Sequence, residues 1–285
     1  MAIQIVTDST SDLPLSLQKQ YGIHLIPLQV LFGEHAYLDG VNLSKEEFYT
    51  KLQDSSTLPT TSQPTPEAFR ALFAPMVERG DEVIAILLSS TLSGTVQSAQ
   101  IAKELLGSDR IHIVDSRTVT VALSLLVLEA VRLRDRGLSC QEIVETLEAL
   151  KGRVAIYATV GTLKYLKMGG RLSASTAIIG ELLNIRPVVS VVDGQVKAVG
   201  KVRGQRAAFQ WIAKRLQEVP YDPAYPPILA HSGAPELGEE LRRFLSQAYP
   251  LKGAPLMEIG AVVGTHAGPG ATGIAYVARK GYSEI

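Results

Sequence analysis

The sequence predicts an α/β protein of two domains. Residues 1–152 read as a three-layer α/β/α domain with a mainly parallel sheet, and residues 153–285 as a two-layer α+β domain with a mixed sheet. Three observations predict this. Strand-like and helix-like segments alternate through the first half, and Val83-Ile84-Ala85-Ile86-Leu87-Leu88 is apolar without interruption, as in a parallel strand covered on both faces. After Lys151-Gly152 the pattern changes, and a two-residue Asp193-Gly194 turn joins two apolar runs, which marks antiparallel pairing. The length of 285 residues is near twice an ordinary domain of roughly 150.

In chain order, Ile3 to Val6 reads as a strand, and Leu13 to Tyr21 as a short helix stopped by Gly22. Between them lies Thr7-Asp8-Ser9-Thr10-Ser11-Asp12. That cluster reads as helix caps or as one wall of a ligand crevice at the strand's carboxyl end, and caps are the simpler account. Ile23 to Phe32 reads as a second strand, and Ser44-Lys45-Glu46-Glu47 as a capping box opening a helix. Three prolines hold Leu58-Pro59-Thr60-Thr61-Ser62-Gln63-Pro64-Thr65-Pro66 extended, so four polar side chains are presented on a stiff backbone. Thr65 is the expected N-cap and Pro66 the first residue of a helix whose apolar face carries Phe69, Leu72, Phe73, Met76 and Val77.

The strand from Val83 to Leu88 then runs into Ser89-Ser90-Thr91-Leu92-Ser93-Gly94-Thr95. Val96, Ala99, Ala102, Leu105 and Leu106 follow at helical spacing until Gly107. Hydroxyls beside the N–H groups and positive end of a helix make an anion cradle, here read as the polar end of a ligand site; ordinary helix capping is the alternative. Ile111, Ile113 and Val114 form the next strand, ending at Asp115-Ser116. A long apolar helix is expected from about Thr118 to Arg136, and Ser139-Cys140-Gln141-Glu142 is a second capping box before Ile143, Leu147 and Leu150.

In the second half, Val154 to Thr159 is a strand and Leu163 to Met168 a short helix, followed by the sharp turn Gly169-Gly170-Arg171-Leu172-Ser173. Val188 to Val192 and Val196 to Val199 flank the Asp193-Gly194 turn. Arg203 and Arg206 are expected to begin a helix through Trp211 and Ile212. Pro227 to Ala230 reads as a strand before His231-Ser232-Gly233, and Glu236 to Ala248 as a helix. Closing strands near Ile259 to Val263 and Thr272 to Ala278 are expected on either side of Gly264-Thr265-His266-Ala267-Gly268-Pro269-Gly270-Ala271.

Composition excludes several function classes. Lys plus Arg equals Asp plus Glu at 28 each, so nothing in the overall charge points to nucleic acid or an anionic membrane. Cys140 is the only cysteine, which rules out an internal disulfide and a thiolate cluster and leaves the residue inert by expectation. The five histidines do not pair at ligand spacing, so no metal is expected. The opening residues lead into a strand with no basic leader, and Val119 to Val131 is too short an apolar run to span a bilayer, so a cytoplasmic protein is expected. Neither Gly-x-x-x-x-Gly-Lys-Ser/Thr nor a Gly-x-Gly-x-x-Gly after the first strand is present, which disfavours a phosphate or sugar-phosphate binder.

Thr61-Ser62-Gln63-Pro64, Ser89-Ser90-Thr91-Leu92-Ser93-Gly94-Thr95, Gly169-Gly170-Arg171-Leu172-Ser173 and His266-Ala267-Gly268-Pro269-Gly270, in this order, closely resemble the DegV family, from Val6-Thr7-Asp8-Ser9 to the final strands. The resemblance implies a fatty-acid-binding protein rather than an enzyme, with no cofactor and a long-chain fatty acid such as palmitate lying between the two domains. It implies that Thr61 and Ser93 hold the carboxylate, that Ser62 and Thr95 stand beside them, and that Arg171 and His266 line the head-group region. The tail would lie in an apolar tunnel. The resemblance also implies a dihydroxyacetone-kinase-like fatty acid kinase subunit as partner, docking near Arg203 and Arg206 and phosphorylating the bound acid to an acyl phosphate; it implies no nucleic acid and leaves room for transient membrane contact. Two departures stand out: Thr118-Val119-Thr120-Val121-Ala122-Leu123 is bulkier than the family's glycine-containing pattern, and Lys201-Val202-Arg203-Gly204-Gln205-Arg206 has fewer consecutive cations. The rival reading is an esterase or acyltransferase with Ser93 as nucleophile and His266 as base, but no Gly-x-Ser-x-Gly elbow surrounds Ser93 and no acid is marked to orient the histidine.

Overall fold

The computed structural model describes residues 2–173, 184–251 and 253–280. The first half runs β1 (Ile3–Asp8), α1 (Leu15–Tyr21), β2 (Ile23–Ile26), β3 (Gln29–Phe32), β4 (His35–Leu38), α2 (Lys45–Asp54), β5 (Thr60–Ser62), α3 (Pro66–Glu78), β6 (Glu82–Leu87), α4 (Thr95–Leu106), β7 (Ile111–Asp115), α5 (Val121–Asp135) and α6 (Cys140–Lys151). The second half continues with β8 (Val154–Thr159), α7 (Lys164–Met168), β9 (Ile185–Val192), β10 (Gln195–Arg203), α8 (Gln205–Glu218), β11 (Ile228–His231), α9 (Pro235–Leu245), β12 (Leu256–Glu258), α10 (Ala261–Ala267) and β13 (Thr272–Val277).

A four-stranded sheet in the order β2-β1-β6-β7 is parallel throughout, and a six-stranded sheet in the order β10-β9-β8-β13-β11-β12 is mixed. Alternation along the strands divides the first sheet's faces. Val83, Ala85 and Leu87 pack with Phe69 and Phe73 of α3 and Val96 and Ala99 of α4. Ile84 and Ile86 face α5 and α6 instead. On the mixed sheet, Tyr157, Ile274 and Tyr276 meet Phe209 and Ile212 of α8 and Leu241 of α9, while Ile156, Ala275 and Val277 turn towards α5. The second half's own helices thus cover one face of its sheet, and a helix of the first half covers the other. This explains why α5 is apolar nearly all round: it is buried between two sheets.

Several expected elements differ in the structure. The single strand expected from Ile23 to Phe32 is two, β2 and β3, in different sheets. Pro27 separates them, and it lacks the N–H a continuous ladder needs. β3 belongs to a small antiparallel sheet, β4-β3-β5, so the extended proline-flanked segment is held as an edge strand with Thr61 opposite Val30. Arg203 ends β10 rather than opening a helix, because Gly204 with φ of 85° breaks the chain before α8. The closing strand expected over Ile259 to Val263 is instead the end of a loop and the start of α10. The N–H groups of Gly260, Ala261 and Val262 donate to the carboxylates of Asp12 and Asp39, at 2.8, 3.0 and 3.5 Å, so acceptors from the distant first half start this helix.

Other local expectations hold. Ser44 and Ser139 form capping boxes with Glu47 and Glu142, Thr65 caps α3, and Gly22 and Gly107 end α1 and α4 in the left-handed region.

Candidate functional site

Between the two sheets lies a cavity of about 360 Å³ lined by both halves of the chain. Leu28, Leu88, Leu92 and Val119 come from the first half; Ile156, Val160, Val189, Val191 and Ala230 line it from the mixed sheet and its loops, and Ile259, Val262 and Val263 from the α10 region. Thr61, Ser62, Gln63, Ser93, Arg171 and His266 supply polar lining.

These polar residues are linked in a ring. Thr61 Oγ1 lies 2.9 Å from His266 Nε2. His266 stands in the last turn of α10 with its ring packed on Gly169, where any side chain would overlap the imidazole. Arg171 donates from Nη1 to Gly169 O at 2.6 Å and from Nε to Leu92 O at 3.3 Å. Ser93 follows Leu92, and the next amide, Gly94 N–H, donates to Gln63 Oε1 at 3.1 Å. Gln63 Nε2 in turn donates to Ser98 Oγ at 3.2 Å, fastening the proline-flanked segment to α4. Gln63 is thus a clamp between two candidate segments; the sequence marks it as one polar residue of the proline-flanked segment, and the clamp itself rests on the absence of a side chain at Gly94, where a Cβ would overlap Gln63.

Ser93 Oγ lies 2.9 Å from Thr95 Oγ1; Thr95 is buried behind it and does not line the cavity. Ser62 lines the cavity and donates to Gln29 Oε1 at 3.2 Å. α4 begins at Thr95 with Gly94 as N-cap and no side-chain cap, so its first-turn amides point towards the Ser93 region.

Burial, reinforced by the Arg171 guanidinium, pushes the His266 imidazole down to about 4, so the ring is neutral at neutral pH. His266 Nδ1 is buried with no hydrogen-bond partner among the described residues. An orphaned buried N–H is rarer and costlier than an unused acceptor lone pair, so the proton belongs on Nε2. Nε2–H then donates to Thr61 Oγ1, and the Thr61 hydroxyl proton is turned towards the cavity. A neutral histidine thereby holds the threonine oxygen and leaves the hydroxyl proton for another acceptor.

The other hydroxyls of the Ser89 to Thr95 loop are used elsewhere. Ser89 and Thr91 both donate to Gly194 O, at 2.9 and 2.5 Å, which docks the β9-β10 turn onto the first half. Ser90 donates to Asp115 Oδ2 at 2.5 Å. In the first loop, Asp8 accepts from Thr10 and from Leu88 N–H, and Asp12 accepts from Thr120 Oγ1 and Gly260 N–H. Those acids act as caps; burial raises them to about 6 and about 7. Arg203 and Arg206 are exposed and do not line the cavity.

A sequence model of the DegV family, described as uncharacterised proteins, matches residues 2–279. The chain belongs to the DegV family. A DegV domain-containing protein of Caldanaerobacter subterraneus subsp. tengcongensis is 39% identical over 273 residues, covering 95% of this chain and 97% of that protein. Among solved structures, a DegV family protein from Thermus thermophilus described for its fatty acid binding matches with a TM-score of 0.88 at 34% identity, over 97% of this chain and 100% of that one. A stearic-acid-binding protein from Eubacterium ventriosum matches with a TM-score of 0.86 at 30% identity, over 98% and 99% of the two chains. Both solved structures span this chain almost end to end, so both of its sheets fall within the shared fold. Among the described residues, no helix of this DegV chain is long and apolar enough to cross a membrane.

Proposed function

We propose that this chain binds a long-chain fatty acid, with the carboxylate at the Thr61-His266-Arg171-Ser93 ring and the tail along the apolar walls. The observation that carries this reading is the joining of a largely apolar, two-sided cavity to a linked group of polar residues in which the Thr61 hydroxyl is held by His266 and Arg171 supplies a cation. Thr61 and Ser93 contact the carboxylate in this reading; Arg171 supplies positive charge, and Ser62 and Thr95 support the two hydroxyls. Charge-assisted hydrogen bonds offset the cost of taking a carboxylate out of water. A palmitate-sized tail of about fifteen CH2 and CH3 groups has a gross burial term of roughly 12 kcal/mol at about 0.8 each. Association and ordering costs take back a large part of it, which leaves sub-micromolar affinity within reach.

The buried head group fits a protein that carries its ligand and does no chemistry on it. A dihydroxyacetone-kinase-like subunit docking near Arg203 and Arg206 would then phosphorylate the carboxylate, in the cytoplasm. For the esterase reading, His266 would have to serve Ser93. Its Nε2 is paired with Thr61 instead, and among the described residues no carboxylate meets its Nδ1.

Native mass spectrometry of the purified protein followed by solvent extraction tests the reading. One fatty acid per chain is expected, with Thr61→Ala and Ser93→Ala each lowering affinity for added fatty acid while the protein stays folded. Unchanged binding in the double variant would refute the assignment of the carboxylate site. Arg203→Ala is expected to leave binding intact and slow acyl phosphate formation with the kinase subunit; equal rates would remove it from the docking surface.

A further inference from the structure

At the opposite end of the parallel sheet from the cavity, three side chains of metal-ligating type converge. Glu82 is the first residue of β6, His112 stands on the neighbouring strand β7, and Cys140 opens α6, which packs over both strands. One donor atom from each lies within 4.8 Å of the other two. His112 Nε2 and Glu82 Oε1 are 3.9 Å apart, too far for a hydrogen bond, and none of the three side chains has a hydrogen-bonding partner among the described residues. Cys140 is 2% exposed, whereas the Glu82 and His112 side chains are 27% and 31% exposed. The arrangement is a cup with sulfur at its base, nitrogen and oxygen at its lip, and an opening to solvent.

We propose that Glu82, His112 and Cys140 bind a zinc-type divalent cation, with water as the fourth ligand. Thiolate, imidazole and carboxylate together suit zinc, while the sulfur selects against magnesium and calcium, which take oxygen ligands. Metal–ligand bonds of about 2.0 to 2.3 Å put tetrahedral donors about 3.4 to 3.7 Å apart, so the three groups, now within 4.8 Å of one another, close by up to about 1.4 Å. Rotation of the partly exposed Glu82 and His112 side chains supplies that movement, and the base of the cup stays fixed in the core. Binding releases the thiol proton to solvent as the metal–sulfur bond forms. β6 has six residues, so the site lies roughly 20 Å from the hydroxyl loop at the strand's other end. Its effect is to fasten α6 to β6 and β7, stabilising the folded chain by mass action rather than taking part in ligand binding. Sequence spacing hides the site, because its ligands come from three separate elements.

The test is titration of the full chain, stripped of metal by chelation, with cobalt(II) as a spectroscopic stand-in for zinc. Since Cys140 is the only cysteine, a thiolate-to-cobalt charge-transfer band has no other source. One cobalt per chain is expected, displaced by zinc, with a raised melting temperature in the presence of zinc. The band is lost in Cys140→Ser, and in His112→Ala the affinity falls by at least the roughly 10- to 100-fold that loss of a ligand's outer-shell partner costs, since here a ligand itself is removed. His112 is partly exposed, so that variant keeps the test valid even where Cys140→Ser fails to fold. Absence of the band at excess cobalt, or unchanged affinity in His112→Ala, overturns the proposal.

Discussion

Gly169→Ala is the sharpest probe of the polar ring, because it acts on the proposed carboxylate site through the His266 imidazole while leaving the Thr61, Ser93 and Arg171 side chains unchanged. Gly169 has φ of −74° and ψ of −5°, which alanine adopts without strain, so its backbone does not require glycine. Space does. A Cβ there would lie 2.9 Å from His266 Cε1 and 3.1 Å from Tyr165 O, and closer still to Nδ1. The imidazole has to move, and the 2.9 Å contact between Nε2 and Thr61 Oγ1 goes with it. Overpacking of this kind costs about 1 to 3 kcal/mol of stability. For the ligand the loss is one oriented hydrogen bond to a charged group, about 1.5 to 3 kcal/mol. At 1.4 kcal/mol per decade that is a rise in Kd of about 10- to 150-fold. Equilibrium titration with a radiolabelled or fluorescent long-chain fatty acid measures it. A double-mutant cycle with His266→Ala isolates the cause: removing the ring makes room for the alanine, so the double variant should bind no worse than His266→Ala alone. Wild-type affinity in Gly169→Ala, or effects that add in full across the cycle, would show that the ring packing does not orient Thr61.

The same loop should separate into two functions: Ser89→Ala with Thr91→Val removes both hydroxyls from Gly194 O and is expected to cost about 1 to 3 kcal/mol in urea denaturation, with fatty acid affinity changed much less than by Ser93→Ala. Thr120 lines the cavity with φ of 57° and ψ of −143°, a conformation costly for a β-branched residue. Both Thr120→Gly and Thr120→Ala lose the hydroxyl that donates to Asp12, but only glycine relieves the strain; the glycine variant should therefore be the more stable by about 1 kcal/mol in chemical denaturation, reversing the usual order. Two pH effects oppose each other. Asp12 is raised to about 7 when folded, so its protonated form favours the fold and that contribution is lost as pH rises from about 4 through 7; Asp12→Asn should compare better with wild type at pH 8 than at pH 5. His266 is lowered to about 4, so its contribution is present above about pH 6.5 and is lost as pH falls through 4; His266→Gln should flatten acid destabilisation measured over that window.

What could be read from the sequence was whatever a segment decides for itself. Ser44 and Ser139 carry their partners three residues on, Thr65-Pro66 sets its own dihedral angles, and the Asp193-Gly194 turn needs only its two flanking strands. Pro27 was also a local signal, and an apolar run on either side of it masked the break between β2 and β3. The Ile259 to Val263 stretch differs in kind. Its β-branched composition reads as strand, and it is helical because Asp12 and Asp39 bring acceptors to its first amides from more than two hundred residues away. The candidate site follows the same division. Its motifs marked Thr61, Ser93, Arg171 and His266 as residues, but nothing local distinguishes Ser93 from Ser89, since both are hydroxyls in one loop; their partners, Thr95 and Gly194, separate them. Nor could spacing pair Thr61 with His266, which stand 205 residues apart. The two observations share one cause. α10 carries His266 at its carboxyl end and is started at its amino end by acids of the first half, so the contact that turns an apolar run into a helix also delivers the histidine to Thr61. Loss of the Asp12 and Asp39 caps would therefore loosen the polar end of the cavity through a helix of only two turns.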